Sequence, residues 1–269
     1  MIADRCLQAL TVNALEPEWE ARSEPRSYGF RPGRGCHDAI VAIHTTASRT
    51  DAKRRWVLDA DLAAAFDHLN HDHICESLGS FPGRGLVVQW LKAGVIEDGR
   101  FASTEEGAPQ GGVISPLLMN VALHGMEGAA GVRYYLTGTR AGKTMSDCPV
   151  VIRYADDLLA LCHTREQAEQ VKARLARWLA PRGLVFNEDK TQITHLDTGV
   201  ISWGSPSGAS ERQVVDQAEQ RRAAADPEKA LRGSAGPSRG QRRRGDRQAQ
   251  PDHCRVGCLL PDRSVQTCL

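Results

Sequence analysis

The chain has 269 residues, of which 41% are hydrophobic and 25% are charged, and its formal net charge is +1. This ordinary globular composition allows one large domain or two small ones, and it excludes a globally basic nucleic-acid-binding protein. It also excludes a membrane-spanning protein, because no apolar run approaches the length of a membrane span.

The charge is unevenly distributed along the chain. Residues 1–200 contain 22 Lys and Arg against 25 Asp and Glu, whereas residues 201–269 contain 12 against 8. The part with folding character is therefore slightly acidic, which suggests that basic surface is missing if the protein handles nucleic acid. Eight scattered cysteines with no signal peptide ahead of them favour reduced thiols and a cytoplasmic location.

The first predicted elements are two helices joined by a loop. Residues 2–16 suit a short helix that Pro17 ends, and a second helix is predicted over residues 36–48. The loop between them is rich in Gly, Pro and Arg. Its glycines allow close backbone approach to a partner, and three arginines can meet phosphates, although an ordinary pre-helix turn fits equally well. These arginines are Arg26, Arg31 and Arg34.

A predicted strand over residues 56–62 carries unexpected acidic residues. Alternation puts Val57, Asp59 and Asp61 on one face, and two carboxylates on an otherwise apolar strand require an explanation. The His-rich stretch 67–73 that follows matches no strong zinc spacing, so we interpret it as a solvated turn and helix start.

Helices and a glycine-rich loop are predicted in the middle of the chain. Residues 74–80 and 84–95 are predicted helical pieces, separated by a Pro-Gly break. The loop 105–116 precedes a helix that Ser115 caps and that runs through Met126. Such a loop can present backbone N–H groups to a phosphate or a base, but it is not a Walker loop.

Two adjacent carboxylates lie at the tip of a predicted hairpin over residues 150–162. Asp156 and Asp157 stand between two apolar runs that indicate buried strands. Asp-Asp is common in solvated turns, yet bare carboxylates on a buried hairpin call for a cation, usually a hard divalent metal. A helix capped by Thr164 and Gln167 follows, and then a turn with strand edges that carries Lys190.

The character of the chain changes near Gly199. Hydrophobic periodicity fades, and Arg, Gln, Ser, Gly and Ala dominate, which predicts a disordered segment over residues 198–269. A basic nucleic-acid-binding tail is the alternative interpretation. The spacing of His253, Cys254 and Cys258 in this segment is better explained by chance than by a zinc site.

Five blocks occur in the order found in group II intron-encoded reverse transcriptase/maturases, and the chain resembles that family. They are SYGFRPGRGCHDAI (27–40), DADLAAAFDHLNH (59–71), GAPQGGVISPLLMN (107–120), RYADDL (153–158) and GLVFNEDKTQI (183–193). The resemblance implies an α+β fold: a reverse-transcriptase palm, which is an antiparallel sheet with backing helices, plus partial fingers over residues 1–197.

The resemblance also implies a site and its chemistry. Asp61, Asp156 and Asp157 resemble the family's catalytic carboxylates, which would hold two Mg²⁺ ions roughly 4 Å apart. Phe66 resembles the residue that selects deoxynucleotides. Gln110 and Gly111 belong to a loop similar to the one that supports template and incoming nucleotide, and Lys190 resembles a lysine proposed to assist the leaving phosphate. Asp59 and Asp67 are expected to support the site or to lie at the surface. The implied partners are an RNA template or intron RNA, a DNA primer and dNTPs, with no protein partner.

Departures from the family pattern leave alternatives open. A basic fingers segment, a thumb and a maturase domain are expected to be absent. Codons for residues 205–209 can be chosen so that a one-base shift restores family-like sequence, so we interpret residues 198–269 as an out-of-frame tail. The predicted function is RNA-directed DNA polymerisation. The alternatives are a non-catalytic remnant with at most weak RNA binding and, less favoured, a metal-dependent nuclease.

Overall fold

The computed structural model describes residues 2–48, 52–97, 100–102, 104–109 and 111–197. Gln110 and the predicted tail 198–269, with its His253, Cys254 and Cys258, lie outside these residues. The helices are α1 (Ile2–Arg22), α2 (Cys36–Ala47), α3 (His71–Leu78), α4 (Arg84–Leu91), α5 (Ser115–Ala122), α6 (Met126–Ala130) and α7 (Arg165–Leu179). The strands are β1 (Trp56–Asp61), β2 (Val95–Glu97), β3 (Arg100–Ala102), β4 (Val150–Tyr154), β5 (Asp157–Cys162) and β6 (Gln192–His195).

A four-stranded sheet in the order β4-β5-β1-β6 forms the centre of the fold, and all of its neighbouring strands are antiparallel. β5 and β1 are the inner strands, with Trp56 opposite Cys162 at one end and Asp61 opposite Asp157 at the other. The predicted antiparallel sheet with backing helices is confirmed. No helix in the described ranges combines the length and apolarity needed to cross a membrane.

Both faces of the sheet are buried, and the two faces of β1 follow the predicted alternation. Val57 packs with Ala39 and Ile43 of α2, whereas Leu58 and Ala60 face a larger core built with α3, α5, α6 and α7. Side chains of successive strand residues point to opposite faces, so one strand contributes to both layers. Asp61 follows Val57 and Asp59 in this alternation and is the last residue of β1.

Helix α1 continues through Pro17 to Arg22, so the prediction that Pro17 ends it is wrong. Proline removes one backbone donor and usually breaks a helix interior. Here Thr11, Leu15 and Trp19 form one buried stripe on both sides of the proline. The Trp19 ring also makes an edge contact with His124, at 5.5 Å between centroids. Burial of this stripe outweighs the lost hydrogen bond.

Two other predicted helices have different bounds. Helix α4 ends at Leu91 rather than at the predicted residue 95, where β2 begins. The helix after the glycine-rich loop ends at Ala122, and α6 begins after Gly125, whose φ of 93° lies in the left-handed region. Ser115 is inside α5 rather than at its cap, and its hydroxyl donates to the Pro109 carbonyl at 2.8 Å.

The predicted solvated turn over residues 67–73 is wrong for His71, which is buried. Its Nε2 lies 2.6 Å from the Gly107 carbonyl oxygen and ties the start of α3 to the glycine-rich loop. Asn70 caps α3 by accepting a hydrogen bond from the His73 backbone at 2.9 Å. Spacing along the chain could not reveal this burial, because the partner is 36 residues away.

Candidate active site

Strand register brings two of the predicted carboxylates face to face. Asp61, the last residue of β1, pairs directly with Asp157, the first residue of β5. Tyr154 of β4 also pairs with Asp157, so only Ala155 and Asp156 remain in the turn. Ala155 has a φ of 56°, which is uncommon for a residue with a Cβ. The turn therefore holds Asp156 next to the paired carboxylates through a strained backbone.

The three carboxylates influence one another electrostatically. Burial, and then the charges of Asp156 and Asp61, raise the pKa of Asp157 to about 6. Burial is also the main cause that raises the pKa of Asp156, with Asp61 adding to it. Crowded, partly buried carboxylates of like charge are a common signature of a functional site, because their ionised forms are stable only when positive charge lies close to them.

Lys190 supplies positive charge beside these carboxylates. Its Nζ lies 2.8 Å from Oδ2 of Asp61, and this hydrogen bond is the main cause that raises the pKa of Lys190. The turn before β6 sets the position of the lysine, since Asn187 donates its backbone N–H to the Asp61 carbonyl at 2.9 Å and accepts one from Lys190 at 3.2 Å. The sequence suggested a role for Lys190 only by resemblance and did not predict its ion pair with Asp61.

The three carboxylates suit a hard divalent ion, but they do not converge on one point in this structure. Across the described residues, no group of three His, Cys, Asp or Glu side chains is arranged to hold a metal ion. The Lys190 ion pair engages Oδ2 of Asp61 in this arrangement. Carboxylate oxygens are the ligands that Mg²⁺ prefers, and this ion keeps waters and substrate phosphates in its shell. The chemistry of the three aspartates therefore fits Mg²⁺ without requiring a closed protein cage.

The loop before α2 packs against the Ala155–Asp156 turn. A Cβ on Gly29 would lie 2.1 Å from the Ala155 nitrogen, so only glycine allows this approach. The next residue, Phe30, makes an edge contact with Phe66 at 6.0 Å between ring centroids. Phe66 is half-buried, and its carbonyl accepts a hydrogen bond from Ala108 at 2.7 Å. The predicted sugar-selecting residue thus lies between this loop and the glycine-rich loop.

The glycine-rich loop is held on two sides. Gly107 donates to the Leu69 carbonyl at 2.8 Å, and Val113 donates to Oε1 of Gln8 in α1 at 2.9 Å. Gly111 is exposed and has a φ of 78°, so it turns the loop at the surface. Asp67 is also exposed, whereas Asp59 is buried within β1.

Of the three arginines predicted to meet phosphates, Arg31 is instead structural. It is buried, and it donates to the Glu20 carboxylate at 2.7 Å and to the Ser27 carbonyl at 2.6 Å. A guanidinium engaged in this way has no surface to offer a ligand. Arg26 and Arg34 line an open cavity of about 580 Å³ beside α2, together with Tyr28.

Arg153 is the buried residue that inspection of the sequence missed. It is 4% exposed, and it donates to the carbonyl of Ala155 at 2.9 Å, to the Ser27 hydroxyl at 2.5 Å and to Oδ1 of Asn120 at 3.1 Å. Burial lowers its pKa to about 10, so it stays charged at neutral pH. A charged residue in the apolar run 150–153 was the available signal, since a buried charge needs partners.

Comparisons with known proteins show which proteins the chain resembles. A family model described as reverse transcriptase (RNA-dependent DNA polymerase) matches residues 1–231. Protein YkfC of Escherichia coli (strain K12) is 31% identical over 229 residues, which cover 76% of this chain and 60% of that protein. The group II intron-encoded protein LtrA of Lactococcus lactis subsp. cremoris is 33% identical over 128 residues, which cover 46% of this chain and 21% of LtrA.

A solved telomerase from Candida tropicalis, in complex with a fragment of telomeric RNA, has a similar fold. The TM-score is 0.50 at 14% identity, over 73% of this chain and 34% of the telomerase chain. This likeness concerns the fold alone. The chain spans less than two thirds of the length of each of these relatives. The family match ends at residue 231, beyond the boundary at residue 197 that was predicted from the sequence.

Proposed function

This chain belongs to the reverse transcriptase family, with group II intron-encoded proteins among its relatives, and from that premise we propose that it extends a primer 3′-hydroxyl with dNTPs on an RNA template. The observation that carries the proposal is the pairing of Asp61 with Asp157 across the two inner strands, next to Asp156 in the turn. A polymerase needs such carboxylates where charge develops on the reacting phosphate.

Enzymes of this family generally use divalent metal ions. Asp61, Asp156 and Asp157 would hold two Mg²⁺ ions, which when bound activate the primer hydroxyl and neutralise the triphosphate. The chain itself supplies negative charge at a fixed position, because strand register and the two-residue turn hold the three aspartates. The raised pKa values of Asp156 and Asp157 express how strongly this arrangement favours a cation.

Lys190 has two roles in this proposal. Without substrate it neutralises Asp61 through the 2.8 Å ion pair, and with substrate its exposed ammonium is free to turn toward the leaving phosphate. The long, flexible lysine side chain makes this exchange possible at little structural cost. The ion pair with Asp61 supports the assignment, since it keeps Lys190 beside the carboxylates.

Phe66 is proposed to exclude the ribose 2′-hydroxyl of an incoming nucleotide. Its ring stands against Phe30, whose loop packs on the Ala155–Asp156 turn through Gly29. A rigid aromatic wall discriminates by shape, because it restricts the space open to a 2′-hydroxyl. Gln110 and the exposed Gly111 are proposed to support template and incoming nucleotide.

Nucleic acid is the proposed macromolecular partner: an RNA template or intron RNA, and a DNA primer. The chain contributes few positive charges for this, since residues 1–200 are net acidic. Arg26 and Arg34 beside the open cavity support a contact with the phosphate backbone, because guanidinium groups bind phosphate oxygens in pairs. Weak, strongly salt-dependent binding is therefore expected.

The test is primer extension by the purified chain on an RNA template with dNTPs and Mg²⁺. The variant Asp156→Ala/Asp157→Ala should abolish extension, whereas Glu169→Gln, which changes an exposed carboxylate on α7, should retain it. RNA binding without extension by a folded wild-type chain would instead favour a non-catalytic remnant. Metal-dependent cutting without use of dNTPs would favour a nuclease.

A further inference from the structure

Arg153 is buried in β4 with hydrogen-bond partners that carry no charge. Its guanidinium donates to the Ala155 carbonyl, the Ser27 hydroxyl and the Asn120 amide oxygen, and its Nε has no hydrogen-bond partner. The carboxylates of Glu24, Glu127 and Asp156 stabilise its charge only through space. Burial of a charged arginine without a directly bonded carboxylate costs desolvation free energy, so we expect a role for Arg153 beyond packing.

The first of these hydrogen bonds reaches the turn that carries Asp156. Arg153 and Ala155 lie on either side of Tyr154, and the guanidinium extends toward the turn to bind the Ala155 carbonyl at 2.9 Å. Ala155 has the left-handed φ of 56°, which a residue with a Cβ adopts only under constraint. The hydrogen bond fixes the orientation of the peptide that joins Ala155 to Asp156.

Asn120 of α5 braces the same turn indirectly, through the loop that packs on it and through Arg153. Its Nδ2 donates to the Gly29 carbonyl at 3.0 Å and to the Phe30 carbonyl at 3.2 Å, while its Oδ1 accepts from Arg153. Gly29 in turn contacts the Ala155 backbone directly. The Asn120 side chain therefore connects the Gly29–Phe30 loop, which packs on the turn, with the Arg153 guanidinium, which is hydrogen-bonded to the turn.

We propose that Arg153 and Asn120 are positioning residues that together fix the Ala155–Asp156 turn, and so aim the carboxylates of Asp156 and Asp157 at the reacting phosphate. The effect on catalysis rests on the proposed function, whereas the link from Arg153 and Asn120 to the turn rests only on the hydrogen bonds and contacts described above. Arg153 and Asn120 act through the turn, and neither needs to touch substrate.

The decisive variant is Arg153→Lys, which keeps the charge but has one ammonium nitrogen in place of the Nη1 that binds Ala155 and the Nη2 that binds Ser27 and Asn120. Its matched control is Arg54→Lys. Arg54 likewise donates to two backbone carbonyls, those of Cys148 and Met145, at 2.8 and 2.7 Å. Both variants lose a guanidinium fork, but only one loses contact with the turn.

Two measurements separate positioning from stability. Displacement of the turn by about 1 Å should lower kcat for primer extension about 100-fold in Arg153→Lys, with KM for dNTP and RNA affinity nearly unchanged. Titration with Mn²⁺ in the absence of substrate should show weaker binding in Arg153→Lys than in the wild type. Arg54→Lys should match the wild type in both measurements, even where its melting temperature falls.

Wild-type kcat and Mn²⁺ affinity in Arg153→Lys would overturn the inference, as would equal losses in the two lysine variants. If Arg153→Lys does not fold, Asn120→Ala repeats the test, because it removes one brace and leaves the charge buried. A wild-type chain that binds Mn²⁺ but does not extend primers would overturn the proposed function. In that case the Mn²⁺ titration still decides whether Arg153 and Asn120 position the carboxylates.

Discussion

Substitution of Gly29 by alanine gives a direct test of how closely the site depends on the loop before α2. The new Cβ would lie 2.1 Å from the Ala155 nitrogen, 2.8 Å from its Cα and 3.0 Å from the Tyr154 carbonyl carbon. All three atoms belong to the backbone, so no side-chain rotation can relieve the overlap. Ordinary contact begins near 3.4 Å, and the loop and the turn must therefore separate by more than 1 Å.

The expected effect of Gly29→Ala is large on rate and moderate on stability. Overpacking of this kind costs about 1–3 kcal/mol of the free energy of unfolding. A displacement of about 1 Å at the carboxylates should lower kcat for primer extension about 100-fold. Urea unfolding and single-turnover extension measure the two effects.

A glycine without close neighbours provides the control. In Gly128→Ala, the new Cβ in α6 meets nothing within 4 Å, and alanine favours a helix interior over glycine by about 0.5–1 kcal/mol. Gly128→Ala should therefore keep its rate and gain slightly in stability. A Gly29→Ala variant with wild-type kcat and unfolding free energy would refute the reasoning, because it would show that the turn tolerates the separation.

Three further predictions concern the site itself. The folded state raises the pKa of Asp157 from 3.8 to about 6, so the metal-free protein should lose stability as pH rises between these values. Asp157→Asn should accordingly raise the melting temperature in chelator near neutral pH, and an unchanged or lower value contradicts this. Lys190→Gln removes the ion pair with Asp61, so the Mg²⁺ concentration for half-maximal extension should fall, and kcat should fall as well. A higher Mg²⁺ requirement would argue that Lys190 does not compete with Mg²⁺ for Asp61. Phe66→Ala should reduce the preference for dNTPs over rNTPs by about tenfold or more, measured as a ratio of kcat/KM values, and an unaltered ratio removes Phe66 from sugar selection.

The sequence predicted those parts of the site that depend on short-range patterns. Alternation along β1 located Asp61, and the apolar runs around Asp156 and Asp157 predicted the hairpin, because both signals arise within a few residues. The antiparallel sheet and its family were also predicted correctly.

The parts that the sequence did not predict depend on distant contacts. Arg153 meets Ser27 across 126 positions and Asn120 across 33, so no local periodicity reports their contact. Pro17 remains inside α1 because Leu15 and Trp19 are buried on both sides of it, which local propensity cannot anticipate. Arg31 resembled a phosphate ligand until its partner Glu20, on the preceding helix, was known.

The order of strands in the sheet has a consequence for how the protein folds. β4 and β5 are joined by a two-residue turn, whereas β1 and β5 pair across roughly 100 residues of intervening chain, and such long-range pairing must first overcome loop-closure entropy. We therefore expect the hairpin to form early and β1 to dock late. Asp61 then meets Asp157 only as the two inner strands join, so folding intermediates with an undocked β1 lack the paired carboxylates.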